Sequence, residues 1–128
     1  MNELTQKGLK IFAELRGQER SNEVSEEIKK AGFSANFLTL STHFVFGSVW
    51  ARKKLAYKER SLVTMGILIA LRATKEFGNH VKIGINNGLT IEEIEEIIIH
   101  SAVYAGFPTA KAASDEAISM LKELGFDV

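Results

Sequence analysis

Residues 59–108 read ERSLVTMGILIALRATKEFGNHVKIGINNGLTIEEIEEIIIHSAVYAGFP. The stretch from Leu62 to Leu71 is almost wholly apolar and rich in Leu, Ile and Ala. It shows no period-two alternation, so it reads as a helix over about Lys58 to Arg72. A helix without a polar face must be surrounded by protein, which places it at the centre of the domain or in a subunit interface. Thr74 then offers an N-cap for a helix running to Asn86, and Asn87-Gly88 supplies a left-handed stop. Thr90-Ile91-Glu92-Glu93 has the form of a capping box, in which the threonine hydroxyl serves the amide three residues on and Glu93 reaches back. The helix it opens runs to about Ala105, where Gly106-Phe107-Pro108 ends it and starts another. In that last helix Ala110, Ala113, Ala117, Leu121 and Leu124 line one face, small enough for close helix approach.

The preceding residues continue the helical pattern. Asn2 to about Arg16 forms an amphipathic helix with Leu4, Leu9, Phe12 and Leu15 on one side. Ser21 or Asn22 caps a short helix, Glu23 to Ala31, which Gly32 ends. Ser34 caps a third helix carrying Phe37, Leu38, Phe44 and Phe46, and Gly47 to Tyr57 reads as a helix end followed by a basic turn. The expected fold class is therefore all-α, a compact bundle of about six to seven helices forming one domain over residues 1–128.

The 128 residues are 45% hydrophobic, enough for one real core. Sixteen basic residues balance sixteen acidic ones, so no overall attraction to nucleic acid or anionic lipid is expected. Arg52, Lys53 and Lys54 form only a local basic patch. No cysteine is present, which excludes disulfides, thiolate nucleophiles, Cys-ligated zinc and iron–sulfur clusters. The N-terminus MNELTQKGLKIF lacks a signal-peptide apolar core, and Leu62–Leu71 is about half of the ~20 residues needed to cross a bilayer. A soluble, cytoplasmic protein without membrane contact is expected.

Two carboxylate–imidazole pairs have helical spacing. Glu76 and His80 are four residues apart and share one helix face, where a carboxylate raises the proton affinity of the imidazole and makes an acid/base pair near neutral pH. Glu96 and His100 have the same separation, so spacing alone does not choose between them; either could be an ordinary surface ion pair. Position favours the first pair. Glu76 and His80 fall in the opening turns of their helix, where free amides and the positive dipole end favour an anionic ligand or intermediate. Three scattered histidines without tight ligand spacing argue against a metal site.

Several runs closely resemble the carboxymuconolactone decarboxylase family. They are Phe46-Gly47-x-x-Trp50-x-Arg52, Arg60-Ser61-Leu62, His80, Asn86-Asn87-Gly88-x-Thr90-x-x-Glu93-Ile94 and Tyr104-Ala105-Gly106-Phe107-Pro108. In that family the histidine at this position is the leading catalytic candidate. The related alkylhydroperoxidase D proteins place Cys-x-x-Cys before it, which would fall at Ala73 and Glu76 here; disulfide-cycling peroxidase chemistry cannot operate without sulfur. The resemblance implies an alkylhydroperoxidase D-like fold, a homo-oligomer (commonly a hexamer built as a trimer of dimers) and a lyase of aromatic-compound catabolism. Its substrate would be a small carboxylated lactone.

For such a substrate, CO2 leaves the carbon bearing the ring oxygen, and the electron pair is conjugated into the lactone carbonyl. The substrate is its own electron sink, so the resemblance implies no metal or organic cofactor. His80 is then the candidate proton donor, Glu76 its orienting partner, and Arg52 the carboxylate binder, with a planar guanidinium fork suited to that task. Trp50 and Tyr104 are candidate substrate-binding residues, with packing roles as the alternative for each. One departure lies beside Arg52: the family usually has Arg-Pro-Gly-Leu where this chain has Arg52-Lys53-Lys54-Leu55. Three alternatives stand beside the enzyme. One is a non-catalytic oligomeric binding or scaffold protein, and another is an antioxidant-family relative without the redox cysteines. The third is a helix-turn-helix DNA binder, which Glu92, Glu93, Glu95 and Glu96 disfavour because they would face phosphate.

Overall fold

Seven α-helices and one π-helix, with no strand, make up the chain, and the computed structural model describes all residues from Met1 to Val128. They divide into two compact units, residues 1–55 and 56–128.

The first unit contains α1 (Glu3–Arg16), α2 (Gln18–Lys30), α3 (Ala35–Ser41) and a π-helix over Thr42–Trp50. Asn2 caps α1 by accepting the Thr5 amide at 2.8 Å. The buried face of α1 carries Thr5, Gly8, Ile11, Phe12 and Leu15, while Leu4 is exposed. This face is rotated from the expected one because α1 packs backbone-to-backbone on the π-helix. A Cβ on Gly8 would collide with the Thr42 carbonyl oxygen, and one on Gly47 would lie 2.6 Å from the Leu4 carbonyl oxygen. Phe46 completes that contact edge-on to Phe12, with ring centroids 5.1 Å apart.

Three boundaries in this unit differ from expectation. α2 starts directly after Gly17, so Ser21 is a buried helical residue whose hydroxyl donates to the Leu9 carbonyl at 2.8 Å instead of capping. Ala31, at φ 56°, ends α2 one residue before Gly32. Ser34 precedes α3 but sits at φ 78°, and its side chain makes no capping bond; N-caps work from extended backbone. The third helix ends at Trp50, within the segment expected to hold its end, but from Thr42 it changes to π pitch, a rare geometry often found near functional positions.

The second unit contains α4 (Tyr57–Ala70), α5 (Thr74–Asn86), α6 (Ile91–Ala105) and α7 (Phe107–Glu123). Its core joins Met65 and Ile69 of α4, Phe77 and Val81 of α5, Leu89, Ile94 of α6, and Ala113, Ala117 and Leu121 of α7. The alanine face of α7 is thus buried as expected, with Leu124 half-buried at the helix end. The capping box is complete: the Thr90 hydroxyl accepts the Glu93 amide at 3.0 Å, and Glu93 accepts the Thr90 amide at 2.9 Å. Lys58 adds an ion pair to Glu93 at 3.1 Å. The backbone hydrogen bond from Thr90, then Lys58, hold the Glu93 carboxyl below the ordinary 4.5. Thr74 is the first helical residue of α5 rather than its cap; Arg72 turns the chain at φ 58°, and Ala73 takes the cap position. In α4, Ser61, Met65 and Ile69 are buried, but Leu62, Val63 and Ile67, with Leu71 at the C-cap, remain exposed. The helix that is apolar all round therefore keeps one uncovered side. No helix is long and apolar enough to cross a membrane.

Candidate functional site

Helix α5 presents Glu76 and His80 along one face, at positions i and i+4, and Asn87 follows as its C-cap residue. The adjoining side of the helix is anchored in the core by Phe77 and Val81, both fully buried. Close contact with α4 depends on Gly84, where a Cβ would lie 2.8 Å from Leu89 Cδ1 and 3.3 Å from Met65 Sδ. A polar tie closes the lower end: Asn87 Nδ2 donates to Ser61 Oγ at 2.9 Å, and Ser61 is fully buried on α4. The face bearing His80 is thus held in a set orientation against α4.

His80 is half-buried, with Nδ1 enclosed by protein. Glu76 is exposed, and its carboxylate accepts a hydrogen bond from Asn79 Nδ2 at 2.9 Å. Asn79 was not singled out from the sequence, although an Asn three residues after a Glu on a helix is a recognisable signal. The Asn87–Ser61 tie is not legible from the sequence, where Asn87 reads as a helix stop and both residues fall in separate family-like runs.

Of the other expected site residues, Trp50 is buried at the end of the π-helix. Arg52 is exposed in the following turn, where its amide donates to the Val49 carbonyl at 3.0 Å. Tyr104, a candidate substrate-binding residue with packing as its alternative, is largely exposed on α6, with its ring tilted against His100 at 5.4 Å between centroids. It lines a cleft of about 410 Å³ with Arg72, His100 and Thr109, and neither Glu76 nor His80 contributes to that cleft. A neighbouring cleft of about 490 Å³ is lined by Leu62, Gly66, Glu92, Glu93, Glu96 and His100, among others. The second carboxylate–imidazole pair therefore borders open cavities between α4 and α6. No three His, Asp or Glu side chains converge closely enough to hold a metal ion.

The chain is thus all-helical, with His80 on a helix that the Asn87–Ser61 hydrogen bond ties to α4. In comparison with known proteins, the model of the carboxymuconolactone decarboxylase family matches residues 35–118. A 4-carboxymuconolactone decarboxylase of Acinetobacter baylyi is 36% identical over 118 residues, covering 92% of this chain and 87% of that protein. The nitrosuccinic acid decarboxylase npaB of Metarhizium robertsii is 37% identical over 107 residues, covering 83% of this chain and 73% of its own. The chain belongs to the carboxymuconolactone decarboxylase family.

Proposed function

We propose that this protein is a cofactor-independent carboxy-lyase acting on a small carboxylate whose own acceptor group takes up the electron pair released with CO2. The observation that carries the reading is similarity to two proteins named as decarboxylases, extending over 92% and 83% of the chain. Their named substrates share one chemical feature: a carboxylate can leave towards an electron sink, a conjugated lactone carbonyl in one and a nitro group in the other. A 4-carboxymuconolactone-type lactone is the proposed substrate. Residues 1–128 act as one functional domain, which similarity across both units supports.

In this mechanism the carbon–carbon bond to the carboxylate breaks and its electron pair moves into the carbonyl, giving an enolate and CO2. His80, entering protonated, gives its proton to carbon, and the electron pair returns from oxygen to form the new C–H bond. Solvent then reprotonates the imidazole. Glu76 orients His80, with Asn79 steadying the carboxylate. Arg52 is assigned the substrate carboxylate, and Trp50 and Tyr104 are assigned to substrate binding. A positioned proton donor typically contributes roughly 100- to 10,000-fold. The protein works as a homo-oligomer, for which the family resemblance implies a hexamer.

The test is CO2 release from 4-carboxymuconolactone, run in D2O so that the product reports where the proton is delivered. The wild type is expected to release CO2 and to place one deuterium on carbon. His80→Gln is expected to lose turnover by about 100-fold or more with unchanged helicity, whereas His100→Gln keeps turnover within a few-fold. Full activity in His80→Gln would reject the assigned proton donor.

A further inference from the structure

Apart from Tyr104, the α4–α6 face carries residues that the proposed chemistry does not use. The two clefts described above share Gly66, His100 and Ser101, so they form one continuous groove along the parallel helices. One end is acidic, with Glu92 and Glu96, and the other is basic, with Arg72. On the same two helices, Val63, Ile67 and Leu71, spaced four residues apart along α4 and its C-cap, and Val103 on α6 are each more than half exposed. Isolated exposed apolar residues need no explanation, but a group of them on the helices that form a groove marks an interaction surface.

Gly66 supplies a second, independent observation. It sits mid-helix, where glycine weakens a helix relative to alanine. The other glycines inside helices or the π-helix (Gly8, Gly47, Gly78 and Gly84) all lie where a Cβ would meet a neighbouring group at under 3.0 Å. A Cβ on Gly66 would meet nothing within 4 Å. Nothing inside the chain requires glycine there, yet its missing side chain forms the floor shared by both clefts.

We infer that this groove docks against the same groove of a second copy, related by a two-fold axis close to Gly66. In that antiparallel arrangement the apolar centres cover one another and the backbones approach at the two glycines. The Glu92–Glu96 end of each copy meets Arg72 of the other, so one surface is complementary to itself, as a two-fold contact requires. A parallel arrangement would set like charges together at both ends. The inference rests on the proposal that the chain assembles, and adds which face and which register.

Sedimentation velocity and light scattering on the full chain test it. The wild type is expected to contain an even number of subunits. Gly66→Arg has room for its side chain within one copy, so it should keep wild-type helicity while its mass falls by half or more. Arg72→Glu should weaken assembly at least tenfold, and Arg72→Glu combined with Glu92→Arg and Glu96→Arg should restore it. A monomeric wild type at high micromolar concentration would overturn both assembly and docking face. An oligomeric wild type whose mass survives Gly66→Arg would overturn the face alone. A triple variant that stays dissociated would overturn the antiparallel register.

Discussion

The tie between Asn87 and Ser61 gives a prediction whose size follows from burial. The bond is 2.9 Å long and joins the end of α5 to the first turns of α4. Ser61 is fully buried, whereas Asn87 is half-buried. Asn87→Ala leaves a hydroxyl that water cannot reach; it can turn onto the Tyr57 carbonyl one turn back, but its acceptor capacity stays unmet. That substitution should cost about 1–2 kcal/mol. Ser61→Ala leaves an amide that water can partly reach, so it should cost less, about 0.5–1.5 kcal/mol. Because both singles break the same bond, the double variant should be less destabilised than their sum by about 1 kcal/mol. The assay is urea unfolding followed by helical circular dichroism at fixed protein concentration; thermal midpoints should move by about 3–5 °C per kcal/mol. His80 lies two turns before Asn87 on the helix that Asn87 ends, so turnover should fall in both singles while native helicity is unchanged. Additivity of the two singles within about 0.3 kcal/mol would refute the claim that this bond orients the face.

Two further predictions concern the elements on either side. Glu93 titrates below the ordinary 4.5 in the folded chain, so its charge stabilises the fold fully above that value and the contribution is lost as pH falls through the lower folded value. The gap in urea midpoint between wild type and Glu93→Gln, which retains a capping side chain, should be present at neutral pH and close towards acid; a gap that widens there would contradict the assignment. Gly8→Ala would push a Cβ into the Thr42 carbonyl oxygen and should destabilise the first unit by about 1–3 kcal/mol in chemical denaturation, and a neutral result would show that α1 and the π-helix need not approach so closely.

Helices α4 to α7 were legible because their signals are local. A threonine followed three residues later by glutamate, a glycine at the end of an apolar period, and a Gly-Phe-Pro junction each act on amides within one turn. α5 and α6 accordingly end where the sequence places their ends, at Asn86 and Ala105. The family resemblance and the residue types available for acid/base work were likewise readable from motif and spacing. What escaped was contact between segments. Ser21 looked like a cap, yet its hydroxyl finds a carbonyl twelve residues earlier. Asn87 looked like a helix stop, yet its amide reaches a serine 26 residues away.

Spacing could not separate Glu76–His80 from Glu96–His100, since both satisfy the same helical periodicity. The folded chain distinguishes them: one imidazole is half-buried on a helix tied to its neighbour, and the other borders an open groove. Periodicity along the chain determines which side chains share a face, because helix geometry is set by the backbone. Which face meets protein, solvent or another copy depends on how segments distant in sequence pack, and on where a missing Cβ lets them approach.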